Sequence, residues 1–161
     1  MKTFELRQLN LRPLGAAIGA SMMAIAATAS IAQQPAQAAD PADIIQLTET
    51  GICQACDLTD ANLTGAHLIG VDLRGADLTG AILAHANLEG ADLTGATLVN
   101  TDLSGAFLTN ALLDDTVIRN VDLSNSTLVY TSLERADVNQ VNLVGADVFN
   151  TPISVGGSYE Q

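Results

Sequence analysis

Cys53 and Cys56 stand in a C-x-x-C arrangement, and the sequence holds no other cysteine. Three chemistries suit that spacing. The pair can staple a local turn as a disulfide, exchange with other disulfides through an activated thiol, or join His67 and His85, the two histidines, around zinc. Redox exchange wants a βαβ setting and an activated thiol, and neither is visible. The Cys–His spacing fits no zinc finger. The other groups with chemical capacity are carboxylates. There are 18 acids against 6 bases, a net charge of −12. Such a chain lacks the Lys/Arg footprint that a nucleic-acid backbone or an anionic lipid surface requires. No Ser, Thr or His falls in a nucleophile constellation, and no glycine-rich loop opens a helix to cradle phosphate. No catalytic residue, cofactor or metal is expected.

The elements that position these residues begin with a leader. Lys2, Arg7 and Arg12 precede an uncharged run from Leu14 to Ala32; Ser30-Ile31-Ala32 at its end and Ala36-Gln37-Ala38 beyond it both fit a small-x-small cleavage signal. This order predicts a secretory signal peptide over residues 1–38, cut after Ala38. The run is close to the lower limit for a membrane anchor, the alternative reading, but it is rich in Ala and Gly. Arg7 and Arg12 are not adjacent, which favours the general secretory route. Residues 39–161 then carry three Arg against 17 acids, a net of −14. They contain no second apolar run of spanning length, so no stable membrane anchor is expected after cleavage.

Most of the remainder is one repeat. From Leu58 to Ile153 every fifth residue is aliphatic, twenty of twenty. Two residues before each stands Ala or another small residue, and the residue between them is Asp or Asn in eleven cases. Two residues after it, eight positions are Gly and five are Asn. A period of five is neither helical nor that of a flat strand. It fits a chain that turns a corner every five residues, with Gly and Asn at the corners. The small and aliphatic residues point inward, and the Asp or Asn between them points out. Four sides close a square coil, so residues 56–155 give about five coils, a rod of about 24 Å at strand spacing. Leu and Ala fill its interior, which accounts for an aromatic content of only 3%.

Ala61-Asn62-Leu63-Thr64-Gly65, Ala76-Asp77-Leu78-Thr79-Gly80 and Ala91-Asp92-Leu93-Thr94-Gly95 resemble the A(D/N)LxG units of pentapeptide repeat proteins, as does Cys56-Asp57-Leu58-Thr59-Asp60. The resemblance covers about 100 of 161 residues. It implies an all-β fold, a right-handed quadrilateral β-helix. The stretch from Gln46 to Leu58 is similar to the entry segment of exported cyanobacterial members, some of them in the thylakoid lumen. Family members pair end to end, which implies a homodimer through the C-terminal coil.

An open solenoid needs cover at both ends. Asp40-Pro41-Ala42-Asp43 reads as a helix start, Ile44, Ile45 and Leu47 as an apolar stripe, and Gly51 as a stop. A capping helix and entry turn therefore occupy residues 39–55. The tail, residues 156–161, is too short and polar to cover Val138, Leu143, Val148 and Ile153.

On this frame Cys56 takes an inward small position, and an exported location favours the Cys53–Cys56 disulfide. Asp57, Asp77 and Asp137 share one outward column; Asp102 and Asp122 share another, and Asp72 and Asp92 a third. These columns solvate the rod, with cation binding as an alternative. The family resemblance implies a further one, DNA mimicry, since some pentapeptide repeat proteins are acidic rods that occupy the DNA site of gyrase. A convex rod offers no cleft to shield paired carboxylates for glycosidase-like work. Phe107 replaces an outward Asp or Asn, and Ile69, Val129 and Phe149 lie on the same predicted face with Tyr130 at its corner. Together they form a candidate partner patch, weighed against ordinary scattered apolarity. The reading is an exported, non-catalytic scaffold in a periplasm or thylakoid lumen, bound to an unidentified protein. An acidic topoisomerase inhibitor and a C-x-x-C redox protein are the alternatives.

Overall fold

The computed structural model describes residues 39–153. The expected signal peptide, the last two residues of the expected coil (154–155) and the whole of the expected tail (156–161) lie outside them. Helix α1 spans Pro41–Thr50. Asp40 caps it, its side chain accepting from the Ala42 N–H at 2.9 Å, and Pro41 opens the first turn without a wasted donor. Gly51 ends it at φ 69°, donating its N–H to the Leu47 carbonyl at 3.0 Å. The apolar stripe is narrower than the sequence implies. Leu47 is buried and Ile44 half-buried, but Ile45 is 55% exposed. One turn of contact is all that a helix this short presents to the narrow end of the coil.

From Ile52 onward the chain pairs with itself in parallel, always 20 residues apart. Single bridges run from Ile52–Asp72 to Leu112–Ser132. Where β-branched residues cluster, the bridges lengthen into strands: β1 (Thr97–Val99), β2 (Val117–Asp122), β3 (Thr127–Val129), β4 (Asp137–Asn142) and β5 (Asp147–Phe149). Leu98 aligns with Ile118, Ile118 with Val138, and Leu128 with Val148. A coil of four five-residue sides is therefore a β-helix. Pairing begins one unit before the expected start at Cys56, because Gly51-Ile52-Cys53-Gln54-Ala55 already behaves as a repeat.

Each unit has the same construction. In residues 91–95, Ala91 and Leu93 are wholly buried and Asp92 points out. The Ala96 N–H returns to the Leu93 carbonyl at 2.9 Å, and Gly95 takes φ 71° at the corner. Positive φ at the third residue sets this turn apart from type I and favours Gly or Asn there. Asp92 accepts from the Thr94 N–H at 3.0 Å and the Thr94 hydroxyl at 2.6 Å. Asp57, Asp77, Asp102 and Asp122 take the same turn-closing bond from residues two positions on. The Asp/Asn preference is thus a local requirement of the corner as well as a matter of solvation. Where Thr or Ser replaces inward Ala, its hydroxyl reaches a carbonyl: Thr101 to Leu78 at 2.9 Å, Thr131 to Leu108 at 2.7 Å. Among the described residues no buried side-chain polar atom lacks a partner.

The last described coil is the poorly covered one. Val138, Leu143 and Ile153 are half-buried, and Val148 is 38% exposed.

Two predictions follow from the corners. Gly90 and Gly105 both have positive φ, but a Cβ at Gly105 would collide with the His85 ring, while one at Gly90 meets open space. Gly90→Ala is expected to lose about 1 kcal/mol for left-handed backbone, and Gly105→Ala more. Denaturant titration should show the excess vanish in a His85→Gly background; an excess that persists would contradict the contact. The second concerns acid. Bonds from Ser124 hold the Asp122 carboxyl below its ordinary value of 3.8, and bonds from Thr59 do the same for Asp57. A lowered folded-state pKa stabilises above the unfolded value, and that contribution is lost as pH falls through the folded one. The stability margin of wild type over Asp122→Asn should therefore be full above about pH 5 and shrink below about pH 4. A margin independent of pH would count against the capping role.

Candidate protein-interaction surface

The two cysteines sit where α1 meets the first coil. Cys53 fills the central position that Leu holds elsewhere, and Cys56 fills the next small position. They form a disulfide with Cα atoms 5.3 Å apart. Both are buried, at 0% and 4% exposure, which keeps exchange partners off either sulfur. The sulfurs are joined to each other, so neither is a thiolate available to a metal. His67 and His85 stand on different faces, His67 paired with Asn87 and His85 at a corner with φ 59°. The bridge reinforces a clamp. The Asp57 N–H donates to the Asp43 carboxylate at 2.7 Å, and the Asp40 N–H donates to the Asp57 carbonyl at 3.1 Å.

The acid columns are real but short. Asp57 pairs with Asp77, but Thr97 and Val117 follow before Asp137. Asp102 pairs with Asp122, whose carboxylate then accepts from the Asn142 amide at 3.1 Å. In the Asp72–Asp92 column Arg74 bridges the two carboxylates, at 2.6 and 3.7 Å. The Arg74 guanidinium holds the Asp72 carboxyl far below the usual carboxylate range, and Gln54 adds a further bond. Arg135 grips Asp115 through two bonds of 2.6 Å and likewise lowers its pKa. Arg119 pairs with Asp137. All three arginines of the described coil are thus engaged with carboxylates. A shallow recess beside β2 is lined by amides and Asp102 and Asp122, with Asn120 donating to Asn100 at 2.7 Å. Among the described residues no three acidic, Cys or His side chains converge as metal ligands.

The predicted patch is partly assembled. Phe107 is 51% exposed on the face formed by residues 106–110, 126–130 and 146–150. On the same face Val129 aligns with Phe149. Tyr130 donates its N–H to the Phe149 carbonyl at 2.9 Å, and their rings meet edge to face at 5.8 Å. Ile69 is exposed but does not join them, because Glu89 and Thr109 occupy its column before Val129. Sequence reasoning missed Leu112, 41% exposed on the adjoining face. The signal was present, since Leu112, like Phe107, replaces an outward Asp or Asn. Among the described residues no helix is long and apolar enough to cross a membrane.

The pentapeptide repeats family model matches residues 56–95, 91–128 and 117–151, with eight copies. Among solved structures, the chain is similar to a pentapeptide repeat protein of the Arabidopsis thaliana thylakoid lumen. They are 29% identical with a TM-score of 0.54, over 56% of this chain and 64% of that one. It is also similar to HetL, a pentapeptide repeat protein involved in heterocyst differentiation regulation from the cyanobacterium Nostoc sp. strain PCC 7120. Here identity is 25% and the TM-score 0.50, over 62% of this chain and 60% of that one. The match to QnrB1, a plasmid-mediated fluoroquinolone resistance protein, is weaker: 20% identity and a TM-score of 0.28, over 60% of this chain and 59% of that one. The chain thus spans less than two thirds of the length of each of these structures. No curated protein sequence matches it. The family model covers more than half of the chain, over the residues that pair with one another 20 apart: the chain belongs to the pentapeptide repeat family.

Proposed function

We propose that this chain is an exported, non-catalytic scaffold that binds a protein partner in a periplasm or thylakoid lumen. Pentapeptide repeat proteins are generally structural or binding proteins. The observation that carries the reading is the disulfide in the core. Cys53 and Cys56 are paired where reduced thiols would leave two polarizable groups in place of a covalent staple, and such pairing persists in oxidising compartments. The thylakoid-lumen neighbour and the basic-then-apolar leader point the same way. The coil is right-handed and of about five turns on the family pattern, with signal peptide, cap, coil and tail in that order. It works by display: a stiff rod with hydrogen bonds satisfied inside and recognition groups outside. The half-covered terminal coil, with Val148 exposed, is where two copies would pair end to end.

Topoisomerase inhibition by DNA mimicry fits less well. A mimic needs an extended run of negative charge, and Thr97, Val117, Arg74 and Arg119 interrupt the columns. Fractionation of the native host with N-terminal sequencing tests the reading. The expected result is a chain starting near Ala39 in a periplasmic or lumenal fraction, with both cysteines oxidised. An intact cytosolic chain with two free thiols would overturn it.

A further inference from the structure

The scaffold reading leaves open which face is recognised and by what chemistry. We infer that the face built by residues 106–110, 126–130 and 146–150 docks a protein segment whose apolar side chains are flanked by Lys or Arg. This assignment rests on the binding-scaffold reading.

Three observations meet on this face. The first is exposed ring surface. Phe107, Tyr130 and Phe149 are each more than half exposed in a chain with five Phe and Tyr in all. A rod whose interior is Leu and Ala has no use for them in packing, and exposed aromatics gathered on a surface are the usual anchors of an interface. The second is the conformation of Tyr130. It holds φ 56° at a corner where Gly or Asn is the prevailing choice. A bulky residue is disfavoured there, and its ring, rather than burial, is what the position gains. The ring stands edge-on to Phe149, so the pair presents one fixed surface to a partner with little side-chain freedom to lose.

The third is charge. Among these three segments the charged residue is Asp147, Glu89 lies one coil earlier on the same side, and no arginine lies on either. The preceding face carries Asp102 and Asp122; the following face carries Asp72, Asp92, Asp114, Asp115 and Glu134 against Arg74 and Arg135, both engaged with those acids, and stays net acidic. Residues 39–161 together have a net charge of −14. An apolar centre in an acidic surround complements an apolar segment with basic flanks, and it repels an anionic lipid surface.

The test uses the purified protein with its disulfide intact, isotope-labelled for amide shift mapping, and a short synthetic peptide alternating Lys with Leu and Phe. Its counterpart carries Glu in place of Lys. The expected result is salt-sensitive binding of the Lys peptide with shifts concentrated at Phe107, Thr127, Val129, Tyr130 and Phe149, and none with the Glu peptide. Phe107→Ser with Phe149→Ser should weaken binding at least about tenfold. Tyr130→Asn, which suits the corner backbone, should weaken it too without lowering the thermal midpoint. Shifts spread equally over the Asp57–Asp77 and Asp102–Asp122 columns would overturn the assignment. So would equal binding of the Glu peptide, unchanged affinity in the variants, or a dimer of this chain that occupies the face. These readouts concern contact alone, whereas the scaffold reading is tested by compartment and oxidation state, so either can fail without the other.

Discussion

The structure depends on a backbone that enters the left-handed region once every five residues. Left-handed backbone costs about 1–2 kcal/mol for most residues, and among the described residues 9 glycines and 12 others adopt it. The return is strict register. With a corner at each fifth residue, four sides close, and every strand segment meets its equivalent 20 residues on. A one-residue slip would turn each Leu outward and each Asp inward, so the corners and the buried aliphatic layers enforce one another.

The corners also explain the change along the rod. Early coils use Gly65, Gly70, Gly75 and Gly80; later ones use Asn100, Asn110, Asn120 and Asn125. Asn tolerates the left-handed region and adds a side-chain amide. Asn120 reaches back to Asn100 along the corner, and at that same corner β2 and β4 run continuously between two faces. Tyr130, Arg135 and Gln140 depart further from what the backbone prefers, and they lie toward the end where core cover also thins.

Much of this was legible in the sequence because period five is strict. The helix start at Asp40-Pro41, its stop at Gly51 and the inward Leu and Ala follow from local rules that tertiary context does not override. What was hidden depended on residue substitutions within the pattern. Cys53 occupies a Leu position, so a count of aliphatic residues starts one unit late. Ile45 is apolar on a helix with one turn of contact, and amphipathicity alone does not say which turn that is. Asp57 and Asp122 read as solvating charges until their bonds to Thr59 and Ser124 show them closing turns. Ile69 shares a face with Phe107, yet only the coil register shows Glu89 and Thr109 in its column before Val129. A binding surface on such a rod is a departure from the repeat, and departures carry no period by which to group them.

The measurement that tests the 20-residue register most directly is residue-resolved amide hydrogen exchange. The ladder bonds of Leu83, Leu88 and Leu93 should be the most protected, with protection falling toward Val138, Leu143 and Val148 at the thinly covered end. Uniformly weak protection of those central amides, or strongest protection at the C-terminal coil, would contradict the stacked-coil account.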